Sequence, residues 1–308
     1  MSILIVGSAA YDTVDTPFGR AEKVIGGSAL YSSVSASFFH PVNLVTVVGS
    51  DFPKKELEFL AHKGIDTSGI EIGRGKTFAW EGSYSYDLNN AKTHKTALNV
   101  FEHFNPQLPD HYKESEYVFL GNIDPELQLN VLDQVKSPKF TAVDTMNFWI
   151  ENKKNTLKKV FSKVDMVVIN EGEARQFTDE FNLVKAAKEI SKIGPAYIII
   201  KRGEYGVLLF HNEQIFSLPA FPLEIVKDPT GAGDSFAGGF MGYLAKLGGE
   251  INHQSIRKAI VIGTIMASIN VEDFSLERFK VIDTGTIAAR LNEFRSVLHF
   301  DEINHKEL

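Results

Sequence analysis

Cysteine is absent from all 308 residues, which excludes disulfides, thiolate metal sites and a thiol nucleophile. A basic excess is missing too. The 32 Lys and Arg residues against 39 Asp and Glu leave a formal net charge of −7, so neither nucleic acid nor an anionic membrane is expected as a partner. No apolar run approaches the ~20 residues of a membrane span. Met1–Ala10 is apolar but lacks a basic flank and runs straight into Asp12 and Asp15, so it reads as a buried first strand rather than a signal peptide. A cytoplasmic location is expected. Internal repeats, low-complexity tracts and long linkers are also missing. What remains is ordinary for a folded chain, 44% hydrophobic and 23% charged, and long enough to bury a substantial core.

Short runs rich in Val, Ile, Leu and Phe predict strands at Ile3–Val6, Asn43–Val48, Tyr117–Leu120, Phe140–Val143, Met166–Ile169, Tyr197–Ile200 and Val207–Phe210. Helical spacing separates them, at Ala29–Phe39, Lys54–His62, Glu126–Val135, Lys153–Phe161, Glu171–Phe177 and Leu183–Ile193. It dominates after residue 210, at Gly233–Leu247, Gln254–Asn270 and Thr284–Leu298. Such alternation implies an α/β fold with a mainly parallel sheet. Residues 11–25 and 76–101 break the pattern. The second stretch carries Phe78, Trp80, Tyr84 and Tyr86 at even spacing, with Asn89-Asn90 as a hairpin turn. Both are read as a small β lid over the sheet.

Chemistry concentrates in Asp228-Pro229-Thr230-Gly231-Ala232-Gly233-Asp234-Ser235-Phe236, which follows a strand-like approach at Leu223–Val226 and opens a helix. A small-residue turn at a helix N-terminus leaves backbone N–H groups free, and the helix dipole adds partial positive charge, so Gly231, Ala232 and Gly233 suit phosphate oxygens. An Asp in a first helical turn is usually a cap. Beside an anion-binding turn, the Asp234 carboxylate instead lies where an attacking hydroxyl would sit, and general-base help there is worth ~10²–10⁴-fold. The string is not a Walker A motif, because its Gly-Lys-Ser/Thr ending is absent.

The same string resembles the C-terminal signature of the PfkB carbohydrate kinases, the ribokinase-like superfamily, with Pro229 where Thr is usual. The resemblance runs over nearly the whole chain. It implies one three-layer α/β/α kinase domain over residues 1–308, ATP and Mg²⁺ as cofactors, and a small-molecule sugar or nucleoside as acceptor. Gly26-Gly27 resembles the family's double-glycine motif, and Asp12 the carboxylate that accepts hydrogen bonds from substrate hydroxyls. Asn170 and Glu173 match its Asn-x-x-Glu motif, which implies phosphate contact for the first and Mg²⁺ held through water for the second. Lys201 and Gly203 fall in its nucleotide loop, and Ala267, Ser268 and Val271 on its adenine wall. Asp228 and Thr230 match positions that hold a monovalent cation in relatives, which implies a K⁺ site, and clasped lids in relatives imply a homodimer through the lid.

Each of these residues also has a plain reading. Two glycines make a helix-entry turn, Asn170 and Glu173 a capped first turn, and Lys201 a solvated lysine. Two departures point away from a ribokinase or fructokinase substrate. Tyr31 stands where sugar kinases often carry Asn, and the loop Asp144–Trp149 lacks their Arg. With Trp80 as a stacking surface, they lean the acceptor towards a nucleoside. The alternative is a binding or regulatory protein that keeps the fold without transfer, and it would be expected to lose the base or the turn. An oxidoreductase is set aside, since Gly7-Ser8-Ala9-Ala10 is not a Gly-x-Gly-x-x-Gly turn.

Overall fold

The computed structural model describes residues 2–299 and 301. Its strands are β1 (Ile3–Val6), β2 (Ala10–Thr16), β3 (Gly19–Gly26), β4 (Val42–Gly49), β5 (Ile65–Gly73), β6 (Phe78–Tyr84), β7 (Ala91–Ala97), β8 (Tyr117–Leu120), β9 (Phe140–Asp144), β10 (Met166–Asn170), β11 (Tyr197–Lys201), β12 (Val207–His211) and β13 (Gln214–Leu218). Its helices are α1 (Ser28–Ser37), α2 (Lys54–His62), α3 (Pro125–Gln134), α4 (Asn147–Asn152), α5 (Lys154–Phe161), α6 (Glu171–Thr178), α7 (Leu183–Ser191), α8 (Ala232–Leu247), α9 (His253–Asn270), α10 (Glu277–Val281) and α11 (Thr284–Leu298).

Nine strands form the main sheet in the order β13-β12-β11-β10-β9-β8-β1-β4-β5. All neighbours from β11 to β5 are parallel, and only β12 and β13 join antiparallel. The central strands read as continuous apolar runs because both faces are covered. Ile3 and Ile5 of β1 pack with α1, α8 and α9 on one face, while Leu4 and Val6 pack with residues of α3, α5, α6 and α7 on the other. The result is the three-layer ribokinase-like arrangement expected.

The two stretches that broke the alternation pair into one separate sheet, β3-β2-β6-β7. Asn89 and Asn90 lie in the connection between β6 and β7. This small sheet folds onto the segment before α8. Thr16 Oγ1 donates to the carbonyl of Lys227 at 2.8 Å, and Ser275 Oγ donates to the carbonyl of Ile25 at 2.5 Å.

Two expectations need correction. Leu223–Val226 forms no strand. The amides of Lys227 and Asp228 go instead to the carbonyl of Val271, at 2.8 and 3.2 Å, so the approach to α8 is anchored to the end of α9 rather than to a sheet. The aromatic positions of residues 78–86 also do not form one stripe. Phe78 stacks on Phe101 with ring centroids 5.5 Å apart, and Tyr86 lies beyond β6, 87% exposed, so it takes no part in the strand's face.

Candidate active site

Three adjacent strands of the main sheet end alike. On the face under α8, β9 presents Phe140 and Ala142, β10 Met166 and Val168, and β11 Tyr197 and Ile199, all buried. Two-residue alternation then places Asp144, Asn170 and Lys201 next on that face, at the carboxyl edge where open α/β sheets bind ligands. Lys201 Nζ donates to Asp144 Oδ2 at 2.7 Å, with the two side chains 20% and 5% exposed. The second Asp144 oxygen accepts the N–H of Thr145 at 2.8 Å. Burial pulls the Lys201 ammonium down, but the charges of Asp144 and Glu173 outweigh it and leave its pKa above the ordinary lysine value.

Asn170 and Glu173 form a reciprocal cap at the start of α6. Asn170 Oδ1 accepts the Glu173 N–H at 2.8 Å, and Glu173 Oε2 accepts the Asn170 N–H at 2.9 Å. The plain capping reading is therefore realised. It occupies one carboxylate oxygen, and Glu173 is only half-buried. Burial, then the charge of Asp144, push the Glu173 carboxyl up to about 7 against the pull of Lys201.

At the start of α8, Gly231 has φ 75° and no side chain caps the helix. A Cβ there would lie 2.4 Å from Cγ of Tyr31, so both the left-handed backbone and the neighbouring ring require glycine. Asp234 is half-buried in this first turn. Burial, then Asp144, raise its carboxyl to about 7, with Lys201 opposing. A carboxyl near neutrality is suited to accept a proton.

Asp12 on β2 is 4% exposed. Burial, then the charges of Asp228 and Asp234, push its carboxyl up to about 8. A Cβ on Gly26 would fall 1.9 Å from Asp12 Oδ2, so the first glycine of the pair is required by the carboxylate itself. Tyr31, on α1, is 1% exposed, and its hydroxyl has no hydrogen-bond partner. Helix α1 is held beside α8 by Ser35 Oγ, which donates to the carbonyl of Ser235 at 2.6 Å. From the lid, Tyr84 reaches the hydroxyl of Thr230, which donates to it at 3.3 Å. The lid tip also comes close to the loop after β11, since a Cβ on Gly203 would lie 2.4 Å from Oδ1 of Asn89. Trp80 is half-buried and donates from Nε1 to Thr93 Oγ1 at 3.1 Å, with its ring beside Gly82.

Asp228 is buried. Its Oδ1 accepts the Thr230 N–H at 2.9 Å, while Oδ2 has no partner. Asn270 donates to the Thr230 carbonyl at 2.8 Å and leaves its own Oδ1 unpartnered. Asp228 Oδ2 and Asn270 Oδ1 are thus buried oxygen acceptors left unpaired, the ligand type a hard cation takes. Val271 and Ser268 belong to the end of α9, where Val271 ties down the approach to α8 and Ser268 accepts from Arg290 at 3.3 Å.

The fold thus brings Asp12, Tyr31 and Asp228 near one another and Asp144, Glu173 and Lys201 near one another, with Asp234 acting on both groups. Asp144 falls in none of the sequence motifs that carry the other residues. An open cleft of about 430 Å³, bordered by Tyr11, Lys23, Asp51 and Asp12's strand partner Trp80, lies on the small sheet and is lined by none of the carboxylates just described.

The family model described as pfkB family carbohydrate kinase matches residues 2–279. A cytidine kinase of Thermococcus kodakarensis is 32% identical over 247 residues, covering 78% of this chain and 87% of its own. An inositol 3-kinase of Arabidopsis thaliana is 23% identical over 295 residues, covering 91% and 76%. Among solved structures, the Burkholderia thailandensis nucleoside kinase in complex with inosine superposes with a TM-score of 0.76 at 18% identity, over 96% of this chain and 98% of that one.

Proposed function

This chain belongs to the pfkB family of carbohydrate kinases, and we propose from that premise that it transfers the γ-phosphoryl group of ATP to a hydroxyl of a nucleoside. The observation that carries the reading is Asp234. Its half-buried carboxyl is raised to about 7 and stands in the uncapped first turn of α8.

The residues divide the work. The carboxylate of Asp12 and the backbone at Gly26-Gly27 orient the acceptor, with Tyr31 and Trp80 as its walls. Asp234 takes the proton as the acceptor oxygen forms its bond to phosphorus and the bond to the ADP oxygen breaks. Backbone N–H groups of Gly231, Ala232 and Gly233 receive the charge that develops on the phosphoryl oxygens. Mg²⁺, when bound with ATP, neutralises phosphate charge, and the Glu173 oxygen outside the cap suits holding it through water. Asn170, Lys201 and Gly203 line the phosphate side, and Ala267 and Val271 the adenine side. Asp228 Oδ2 and Asn270 Oδ1 suit K⁺. The whole chain acts as one kinase unit, its lid excluding water from the transfer.

A nucleoside rather than a free sugar is favoured by the 32% identical cytidine kinase and by Tyr31. Thermal-shift screening of nucleosides, pentoses, hexoses and inositol with an ATP analogue present tests the choice, because a bound ligand raises apparent stability. Stabilisation by sugars alone would reject it. Asp234→Asn should lower turnover ~10²–10⁴-fold while ATP-analogue binding persists. Undiminished turnover would remove Asp234 from the mechanism.

A further inference from the structure

We infer that Lys201 is a catalytic residue that meets the migrating phosphoryl group, and that Asp144 is the positioning residue that aims it there. The inference rests on the kinase reading above and goes beyond it, since a nucleotide neighbour need not act in the transfer step.

Lysine at a strand end normally extends its ammonium into water. Lys201 does the reverse. From the end of β11 it crosses the carboxyl edge of β10 to bond Asp144 on β9, two strands away. On that path its Nζ passes the α8 turn so closely that a Cβ on Gly233 would lie 2.9 Å from it. The ammonium and the turn amides therefore converge on one anion position. That is the place where a phosphoryl group in flight gathers negative charge.

Stability alone does not account for the pair. Taking both charges out of water costs about as much as their attraction returns, so a buried ion pair is a weak stabilising device. Its geometry has a clearer use. Asp144, Glu173 and Asp234 all act on the Lys201 ammonium, but of the three only Asp144 hydrogen-bonds it. Freed from Asp144, the ammonium would fall onto Asp234 and occupy the oxygen that must receive the acceptor proton. Tethered, it stays beside the turn and leaves the base open. In the transfer, the acceptor O–H loses its proton to Asp234, the oxygen–phosphorus bond forms, and the bonding pair of the broken P–O bond leaves on ADP. Lys201 stays protonated throughout.

The test compares Lys201→Met, Asp144→Asn and the double variant in steady-state kinetics. It also measures calorimetric affinity for Mg-ADP with and without aluminium fluoride, a planar mimic of the migrating group. Lys201→Met should lower kcat ~10²–10³-fold, as for loss of an oxyanion donor, with little change in the ATP KM, and should lose the preference for ADP–aluminium fluoride over ADP. Asp144→Asn should show a smaller loss of the same kind, and no further loss once Lys201 is Met. A Lys201→Met enzyme with a raised ATP KM and intact kcat would make the lysine a nucleotide anchor only. An Asp144→Asn loss that persists undiminished beside Lys201→Met would overturn the positioning role. A wild type that phosphorylates no acceptor and binds neither nucleotide form would sink the kinase reading itself.

Discussion

Tyr31 carries a hydroxyl with no partner, fully enclosed among Asp12, Asp228, Tyr84 and Asp234. An unmade buried hydrogen bond costs about 1–3 kcal/mol, so a substrate hydroxyl that supplies it gains what the empty site forfeits. Tyr31→Phe is therefore expected to leave the ligand-free melting temperature unchanged or slightly raised, while the acceptor KM rises ~10-fold, the equivalent of about 1.4 kcal/mol. A melting temperature lowered as far as a core truncation would show that the hydroxyl serves the fold instead. At this scale the sequence is unevenly legible. The Gly231–Asp234 string stands out because its residues are contiguous. Asp144 does not, since its partner lies 57 positions along the chain and only the flanking of β10 by β9 and β11 brings them together. The signal available was the repeated ending, two apolar residues and one polar on alternate positions of three neighbouring strands.

Among elements, those with a continuous apolar run or a clear helical period were legible, and those at the rim were not. Strand β5 is interrupted by Gly69 and half-exposed, and β13 pairs only along one edge, so neither carries the pattern of a doubly covered strand. The expected strand at Leu223–Val226 has the right composition, yet the amides that follow it are taken by Val271. The lid was recognisable as a ribbon, but the different surroundings of its aromatics were not, since Phe78 stacks on Phe101 and Tyr86 lies beyond β6. Tyr84 is the one that reaches the α8 turn. Tyr84→Phe removes the hydroxyl that meets Thr230, a net loss of ~1 kcal/mol if the bond is typical. ATP hydrolysis without acceptor should rise a few-fold relative to transfer, measured as ADP released per product formed. An unchanged ratio would mean that the contact does not keep the lid shut.

The whole molecule gathers carboxylates whose pKa values are raised: Asp12 to about 8, and Glu173 and Asp234 to about 7. A carboxyl that holds its proton more tightly when folded favours the folded state most at low pH. That advantage shrinks as pH climbs from about 4, the ordinary carboxylate value, through the folded pKa. Between pH 5 and 8, ligand-free protein should thus lose stability as pH rises. Each group contributes a slope of about 1.4 kcal/mol per pH unit while the pH lies between its ordinary and its folded value. Asp12→Asn, which imitates the neutral form, should melt above wild type at pH 8 and approach it near pH 5. A wild-type advantage at pH 8 would show that Asp12 is stabilised as the anion. Carboxyls held below their ordinary value, such as Asp66 at about 2, exert their effect only under more acidic conditions.

On the kinase reading proposed above, one flap touches both substrates' sides of the site, with Tyr84 at Thr230 on the acceptor side and Asn89 at Gly203 on the donor side. The two reactants therefore share a single doorway. Whichever arrives second meets a partly shut entrance, and neither product can depart without releasing the other's cover, so turnover should follow a compulsory sequence rather than two independent encounters.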